Sequence, residues 1–330
     1  MRYLIFAVVF GVVLSSTAWT EQSFYEPVPK MKHPADNKWS KEKEELGKML
    51  YFDPRLSGSN WISCATCHNP GLGWGDGLPR TIGDGQKELG RHAPTVINSG
   101  YFALQMWDGR KKSLEDQAKG PIGAAAEMNQ DYNDLLKELK AIPGYVKRFT
   151  SVFGENSLTI DNIAKAIATF ERSVVSKNSP YDKYWAGNKS AMSSSAVNGM
   201  NLFFGKAKCS ICHNGPVFTD SGFHNIGVKA AGPLKVDLGR YNETKLDFDK
   251  GAFKTPGLRS ITQSAPYMHN GTEATLEDVI AFYDRGGDVK ENLSPLITPL
   301  GLNAEEKKDL VEFLKALDGE PIKVIFPDLP

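Results

Sequence analysis

The sequence has no excess of charge of either sign: 39 lysines and arginines stand against 39 aspartates and glutamates. That balance removes the basic footprint of a nucleic-acid or anionic-membrane binder, so any partner must be recognised by local patches. Cysteine is scarce, with four residues in 330, and so is histidine, with six. Long hydrophobic runs are missing as well. The one apolar run at the start, from Tyr3 to Leu14, is too short to cross a bilayer comfortably, and no later segment is long enough to do so. Arg2 precedes that run and the small residues Ser15, Ser16, Thr17 and Ala18 follow it, so residues 1–18 read as a cleaved signal peptide. The expectation is an exported, periplasmic protein with no membrane span in its mature form.

Export usually invites disulfides, and four cysteines could form two. Their arrangement argues otherwise. Cys64-Ala65-Thr66-Cys67-His68 and Cys209-Ser210-Ile211-Cys212-His213 are both C-x-x-C-H, and together they use every cysteine in the chain. That pentapeptide attaches a c-type haem, with the thiols bonded to the vinyl groups and the histidine on the iron. A single copy could instead be a redox dithiol or half a zinc site. Two copies with no spare cysteine favour two covalently bound c-type haems.

A chain of 330 residues has room for about two domains, and the two histidines are far enough apart for one haem in each. The serine-rich stretch at 186–200 marks a boundary near 185, giving a first haem domain over 19–185 and a second over 186–330. Helical periodicity runs through 38–52, 133–153, 159–175 and 303–317, separated by glycine- and proline-rich loops with little strand pattern. The expected fold is all-α, two cytochrome c-like domains. A further short helix is predicted within TLEDVIAFYDRGGD (275–288), with Thr275 and Asp278 as a capping box and Gly286-Gly287 as its stop. Its inward face would carry Val279, Phe282 and Tyr283, and a buried phenol requires a partner.

The segment GRHAPTVINSGYFALQMWDGRKKSLEDQAKGPIGAAAEMNQ (90–130) and the later APYMHNG (265–271) resemble the bacterial dihaem cytochrome c peroxidase and MauG family, nearer its MauG-type branch, which includes MbnH-like proteins. The resemblance extends over nearly the whole mature chain. It implies that His68 holds a peroxide-reactive iron whose open face is lined by Gln117, Pro121 and Glu127, with Glu127 as the acid-base that moves a proton between the peroxide oxygens. It also implies that Trp107 lies between the haems as a relay for electrons or holes. Read alone, Glu127 would be an exposed helix residue and Trp107 ordinary core.

The chain departs from the peroxidase pattern at several places. Asp84 stands where ordinary members carry a histidine that must leave the first iron, which implies a site open without reductive activation. His92 stands where the family has an asparagine that helps bind calcium between the domains, with backbone help from Ser264 and Pro266; calcium is thus a candidate cofactor there. The second iron has His213 on one side, and Met268, His269 and Tyr283 compete for the other. Spacing habit in small cytochromes favours Met268. The family pattern places its ligand methionine at the position held by Tyr283, and tyrosine there distinguishes the MauG type. His269 and His224 then fall to propionate or backbone hydrogen bonds.

The resemblance implies an enzyme that uses hydrogen peroxide to form a bis-ferryl state and oxidises an aromatic residue of a periplasmic partner protein. The alternative is a cytochrome c peroxidase drawing electrons from a small cytochrome c or cupredoxin, and a third reading is a dihaem electron carrier. MauG itself carries a surface tryptophan two residues before its second motif, where this chain has Ala207, so the partner is left open between a small copper-binding and a cofactor-bearing protein.

Overall fold

The structure, a computed structural model, describes residues 25–330; the expected signal peptide lies outside the described residues. Among them are eleven α-helices and one two-stranded sheet. The helices are α1 (Lys41–Phe52), α2 (Cys64–Cys67), α3 (Leu114–Gly123), α4 (Tyr132–Lys140), α5 (Pro143–Phe153), α6 (Ile160–Glu171), α7 (Pro180–Trp185), α8 (Ser194–Phe204), α9 (Tyr241–Thr244), α10 (Leu276–Asp284) and α11 (Ala304–Lys315). The strands β1 (Phe223–His224) and β2 (Phe253–Lys254) pair antiparallel, with Phe223 opposite Lys254. None of the described helices is long and apolar enough to cross a membrane.

Most helices start where a side chain satisfies an orphan amide. Ser40 accepts from the Lys43 amide at the head of α1, Thr159 from the Asn162 amide at α6, and Asn303 from the Glu306 amide at α11. The periodic stretch 133–153 is two helices rather than one. Ile142 is forced to extended backbone (φ −100°, ψ 104°) by the proline that follows it, and this separates α4 from α5.

Two helix crossings organise the chain. In the first, α1 meets α6 so closely that a Cβ on Gly47 would lie 1.9 Å from the Ala166 carbonyl oxygen and 3.0 Å from the Phe170 Cβ. In the second, α8 meets α11, and a Cβ on Gly199 would lie 1.9 Å from the Asp309 carbonyl oxygen and 2.9 Å from the Phe313 Cβ. Each crossing anchors its own apolar core. The first gathers residues from Leu46 to Val174 and the second from Tyr181 to Leu317. The changeover falls ahead of the boundary expected at 185, because Tyr181 and Tyr184 of α7 pack into the second core. The ends cross over: Ile322 and Val324 return to the first core, while Tyr25 packs on the second.

The seam between the cores is polar and tightly paired. The Arg91 guanidinium donates to Asp108 at 2.6 Å and to both oxygens of Asp237 at 2.7 and 2.8 Å. Arg240 donates to the carbonyls of Asp108 and Gly109 at 3.0 and 3.1 Å. Removing one member of such a largely buried network leaves an unpaired charge, which costs about 3–5 kcal/mol.

Inserting a methyl group at either crossing overpacks it. Gly47→Ala and Gly199→Ala should each lower stability to urea by about 1–3 kcal/mol. Unchanged denaturation midpoints would show that the helices do not meet this closely.

Candidate active site

At the first motif, α2 holds Cys64 and Cys67 on one turn and ends at His68, whose amide donates to the Cys64 carbonyl at 2.9 Å. The buried Tyr51 hydroxyl donates to the His68 carbonyl at 2.8 Å and so ties the motif to α1. In the second motif the His213 amide donates to the Cys209 carbonyl, also at 2.9 Å, and its Nδ1 lies 3.0 Å from the Phe218 carbonyl. That contact leaves Nε2 of His213 for a metal. Burial lowers the pKa of both imidazoles, against the opposing effect of nearby carbonyls: Trp74 and Pro94 at His68, Phe218 and Pro256 at His213. Neutral imidazole is the form that ligates iron.

The four thiols stand in for the thioether sulfurs of the attached haems. Burial pushes Cys67 and Cys209 up to about 12 and Cys212 to about 11, and Cys64 higher still. A redox dithiol needs the opposite, a thiol depressed towards neutrality. A zinc site is also disfavoured. Among the described residues, Cys212, Asp220 and His224 form the one cluster of three metal-ligating groups, and it contains a single cysteine. The residues present therefore fit two covalently attached haems.

Helix α3 carries Gln117, half-buried, and Pro121 within the helix. Glu127 follows in a turn closed by its amide on the Ala124 carbonyl at 2.9 Å. Burial raises the Glu127 pKa, Arg110 opposes it, and the carboxyl is near enough to Cys67 to raise that thiol. Cys67 and Glu127, sixty positions apart in sequence, thus share one site. Asp84 stands beside it, but its carboxylate is taken: it accepts from Asn129 Nδ2 at 2.9 Å, and hydrogen bonds from Ser59 and Asn129 depress its pKa.

Trp107 lies in the seam. Its indole Nε1 donates to the His92 carbonyl at 2.9 Å, and its own carbonyl accepts from the Lys254 amide at 2.8 Å. His92 is buried with Nδ1 2.7 Å from the Leu78 carbonyl, and the Ser264 carbonyl also faces its ring. Pro266 follows in a cis peptide bond after Ala265.

Over the second site, α10 forms with the predicted box: Thr275 Oγ1 accepts from the Asp278 amide at 3.1 Å and donates to its carboxylate at 2.7 Å. Phe282 is fully buried and Val279 packs on the second core. Burial pushes the Tyr283 phenol well above its ordinary range, and Cys209 and Cys212 lie close enough to add to the rise. His269 is engaged elsewhere. Its ring stacks on Phe253 at 3.6 Å, and burial drives its pKa down to about 4. His224 pairs with Asp220 at 3.0 Å.

Superposed on this is an internal repeat that residue-by-residue reading missed. The left-handed residues Met106 (φ 72°) and Met268 (φ 70°) open matching turns closed on Gly109 and Gly271. Bridges at Gln105–Lys111 and Tyr267–Glu273 flank them. Ser113 and Thr275 then cap α3 and α10 ahead of the same Leu-Glu-Asp triplet. Eight residues beyond each cap stand Pro121 and Tyr283. The position that offers a phenol at the second site offers a side chain with no donor atom at the first. Met268, by the same register, corresponds to Met106. The signal was present in SLED and TLED, but the surrounding residues differ too much for it to stand out.

Residues 41–190 match the sequence profile of the family described as di-haem cytochrome c peroxidase. The chain is 43% identical over 306 residues to the methylamine utilization protein MauG of Methylorubrum extorquens, covering 92% of this chain and 85% of that one. The chain belongs to the di-haem cytochrome c peroxidase family. It is similarly 39% identical to cytochrome-c peroxidase IdrP1 of Pseudomonas sp. (strain SCT), over 92% of this chain and 88% of the relative. Among solved structures, a MauG-like protein associated with microbial copper homeostasis matches with a TM-score of 0.82 at 32% identity, covering 92% of this chain and 95% of that one. This di-haem cytochrome c peroxidase family member is a haem-dependent enzyme with two covalently bound c-type haems, acting with hydrogen peroxide and a protein partner.

One buried group was not anticipated. Glu171, on α6, has an unpaired Oε2, and burial lifts its pKa to about 8 beside Cys64 and Tyr51. Nothing in the sequence marked it, since an isolated Glu-Arg pair late in a helix usually faces solvent.

Glu127→Gln should slow the reaction with stoichiometric peroxide by about 100-fold or more while leaving both haems bound, as stopped-flow spectra would report. Acting as base, Glu127 must be ionised. The wild-type rate should therefore fall as pH drops through a pKa above the ordinary carboxylate value, and the variant should lose that limb.

Proposed function

We propose that this protein is a periplasmic dihaem oxidase of MauG type, which spends the oxidising equivalents of hydrogen peroxide on an aromatic residue, a tryptophan, of a partner protein. The observation that carries the reading is Tyr283 at the position where the first site has Pro121. A bound haem supplies the iron that meets peroxide and a ring that spreads oxidising charge. His68 and His213 would hold the irons. Pro121 leaves the face of the first site without a donor, Glu127 moves the proton from the near to the far peroxide oxygen, and Gln117 lines the same face. Asp84, held by Asn129, leaves that face open. Trp107 carries charge between the sites.

At the second site Tyr283 is the ligand we assign. A tyrosinate is a hard anionic donor that favours higher iron oxidation states, which suits a site that holds oxidising charge rather than a high-potential relay. Burial resists ionisation of this phenol, and ferric iron is the cation that would offset it. Similarity to a protein associated with copper homeostasis supports a copper-linked partner.

A second reading, peroxide removal with electrons from a small cytochrome c or cupredoxin, is favoured by the 39% identity to a cytochrome-c peroxidase. The oxidised protein should lack the far-red charge-transfer band of a Met-ligated haem, and Tyr283→Met should acquire it together with faster turnover of reduced cytochrome c. Finding that band in the wild type would sink the Tyr283 assignment. Rapid wild-type turnover with cytochrome c would favour the second reading.

A further inference from the structure

Glu115, in the first turn of α3, is gripped by a fork. Arg172 of α6, itself buried, donates Nη1 to Oε1 at 2.6 Å and Nη2 to Oε2 at 3.0 Å. Asn37, which lies ahead of α1 and is fully buried, donates to the same Oε1 at 2.7 Å and to the Lys165 carbonyl at 3.0 Å. Its amide oxygen accepts from Lys43 of α1 at 3.1 Å and from Thr169 of α6 at 3.4 Å. Three helices and the segment leading into α1 therefore meet in one buried polar cluster. The far end of α3 carries the turn that holds Glu127. There the Pro121 carbonyl accepts from the Met128 amide at 3.1 Å and the Ile122 carbonyl from the Gln130 amide at 2.9 Å, so where α3 lies decides where Glu127 lies.

We infer that Asn37, Glu115 and Arg172 are positioning residues, a clamp that fixes α3 and through it holds Glu127 in place for proton transfer. Ala118 and Ile122 pack α3 into the first core, but apolar burial is non-directional and leaves a helix free to slide or turn. A charged two-point fork fixes distance and angle together. The internal repeat supplies the comparison. Glu277 holds the place of Glu115 in the second Leu-Glu-Asp triplet, yet it is exposed, and its carboxylate has no hydrogen bond or ion pair among the described residues. At the two glycine crossings Phe170 corresponds to Phe313, so Arg172 corresponds to Lys315, which pairs with Glu312 of its own helix at 2.8 Å. The half that carries Glu127 has the clamp, and the half that carries Tyr283 does without it. The inference rests on the reading of Glu127 as acid-base, but not on what the partner protein is.

The test uses the full-length holoprotein in stopped-flow mixing with stoichiometric peroxide. Glu115→Ala should slow the reaction by about tenfold or more, as displacement of an acid-base by a fraction of an ångström would produce. Its haem content and the resting spectrum of its second haem should be unaltered. Glu277→Ala, the same change in the other half, should react at the wild-type rate. Glu115→Ala combined with Glu127→Gln should be no slower than Glu127→Gln alone, because a clamp that acts through Glu127 then has nothing left to place. A merely structural Glu115 would instead lower the denaturation midpoint while the folded molecules reacted at the wild-type rate. Where Glu115→Ala does not fold, Arg172→Lys carries the test: it keeps the charge, loses the fork and should slow the reaction likewise. A wild-type rate in the folded variant, equal slowing in Glu277→Ala, or additive slowing with Glu127→Gln overturns the clamp. A wild-type rate in Glu127→Gln alone overturns the reading of Glu127 itself, a result that needs no clamp variant.

Discussion

Each haem site depends on a helix crossing so close that only glycine fits. At Gly47 and again at Gly199, the opposing helix presents a backbone carbonyl where a Cβ would sit. An aromatic side chain, Phe170 or Phe313, lies across the same contact and is buried in the core behind it. The crossing sets the distance between the helix before each CxxCH motif and the helix that closes the domain. The motif itself is a short turn with little cohesion of its own. What holds His68 is Tyr51, which sits on α1 and packs edge-on to Phe170 at 5.1 Å, so the proximal side of the first site inherits its geometry from the crossing.

The two sites share this scaffold and differ in what it presents. Both histidines are half-buried and held neutral, each close to the carbonyl of an aromatic residue in left-handed conformation, Trp74 at φ 62° and Phe218 at φ 58°. In each half a Met-x-x-Gly turn leads into a capped helix. At the eighth position after the cap the repeat breaks, with proline on one side and tyrosine on the other. The same turn and capped helix thus carry, at one position, a side chain with no donor atom in one half and a phenol in the other.

Between them the seam is polar, and that is physically awkward unless every group is paired. Arg91 is the pivot, bridging Asp108 of the first domain and Asp237 of the second, 146 positions away. Trp107 is the next residue to Asp108, so the ion pairs that close the seam also locate the indole. The orientation of the domains and the placement of Trp107 therefore draw on the same contacts.

Much was legible from the chain alone. The CxxCH motifs needed no fold to be read, because both thiols and the histidine are contiguous and their chemistry is local. The start of α10 at Thr275 was legible for the same reason: a cap is a contact over three residues. The helix expected over 133–153 broke at Ile142 because Pro143 acts on its neighbour's backbone, a local rule outweighed at first by the longer apolar period. Sequence also determined that the residue eight beyond each cap is proline or tyrosine. Only the tertiary structure decided that these two hold equivalent places in a repeated turn and helix, that Glu127 approaches Cys67, and that Glu171 is buried rather than solvated. Those outcomes depend on contacts between residues dozens to hundreds of positions apart, which close packing selects and no local pattern encodes.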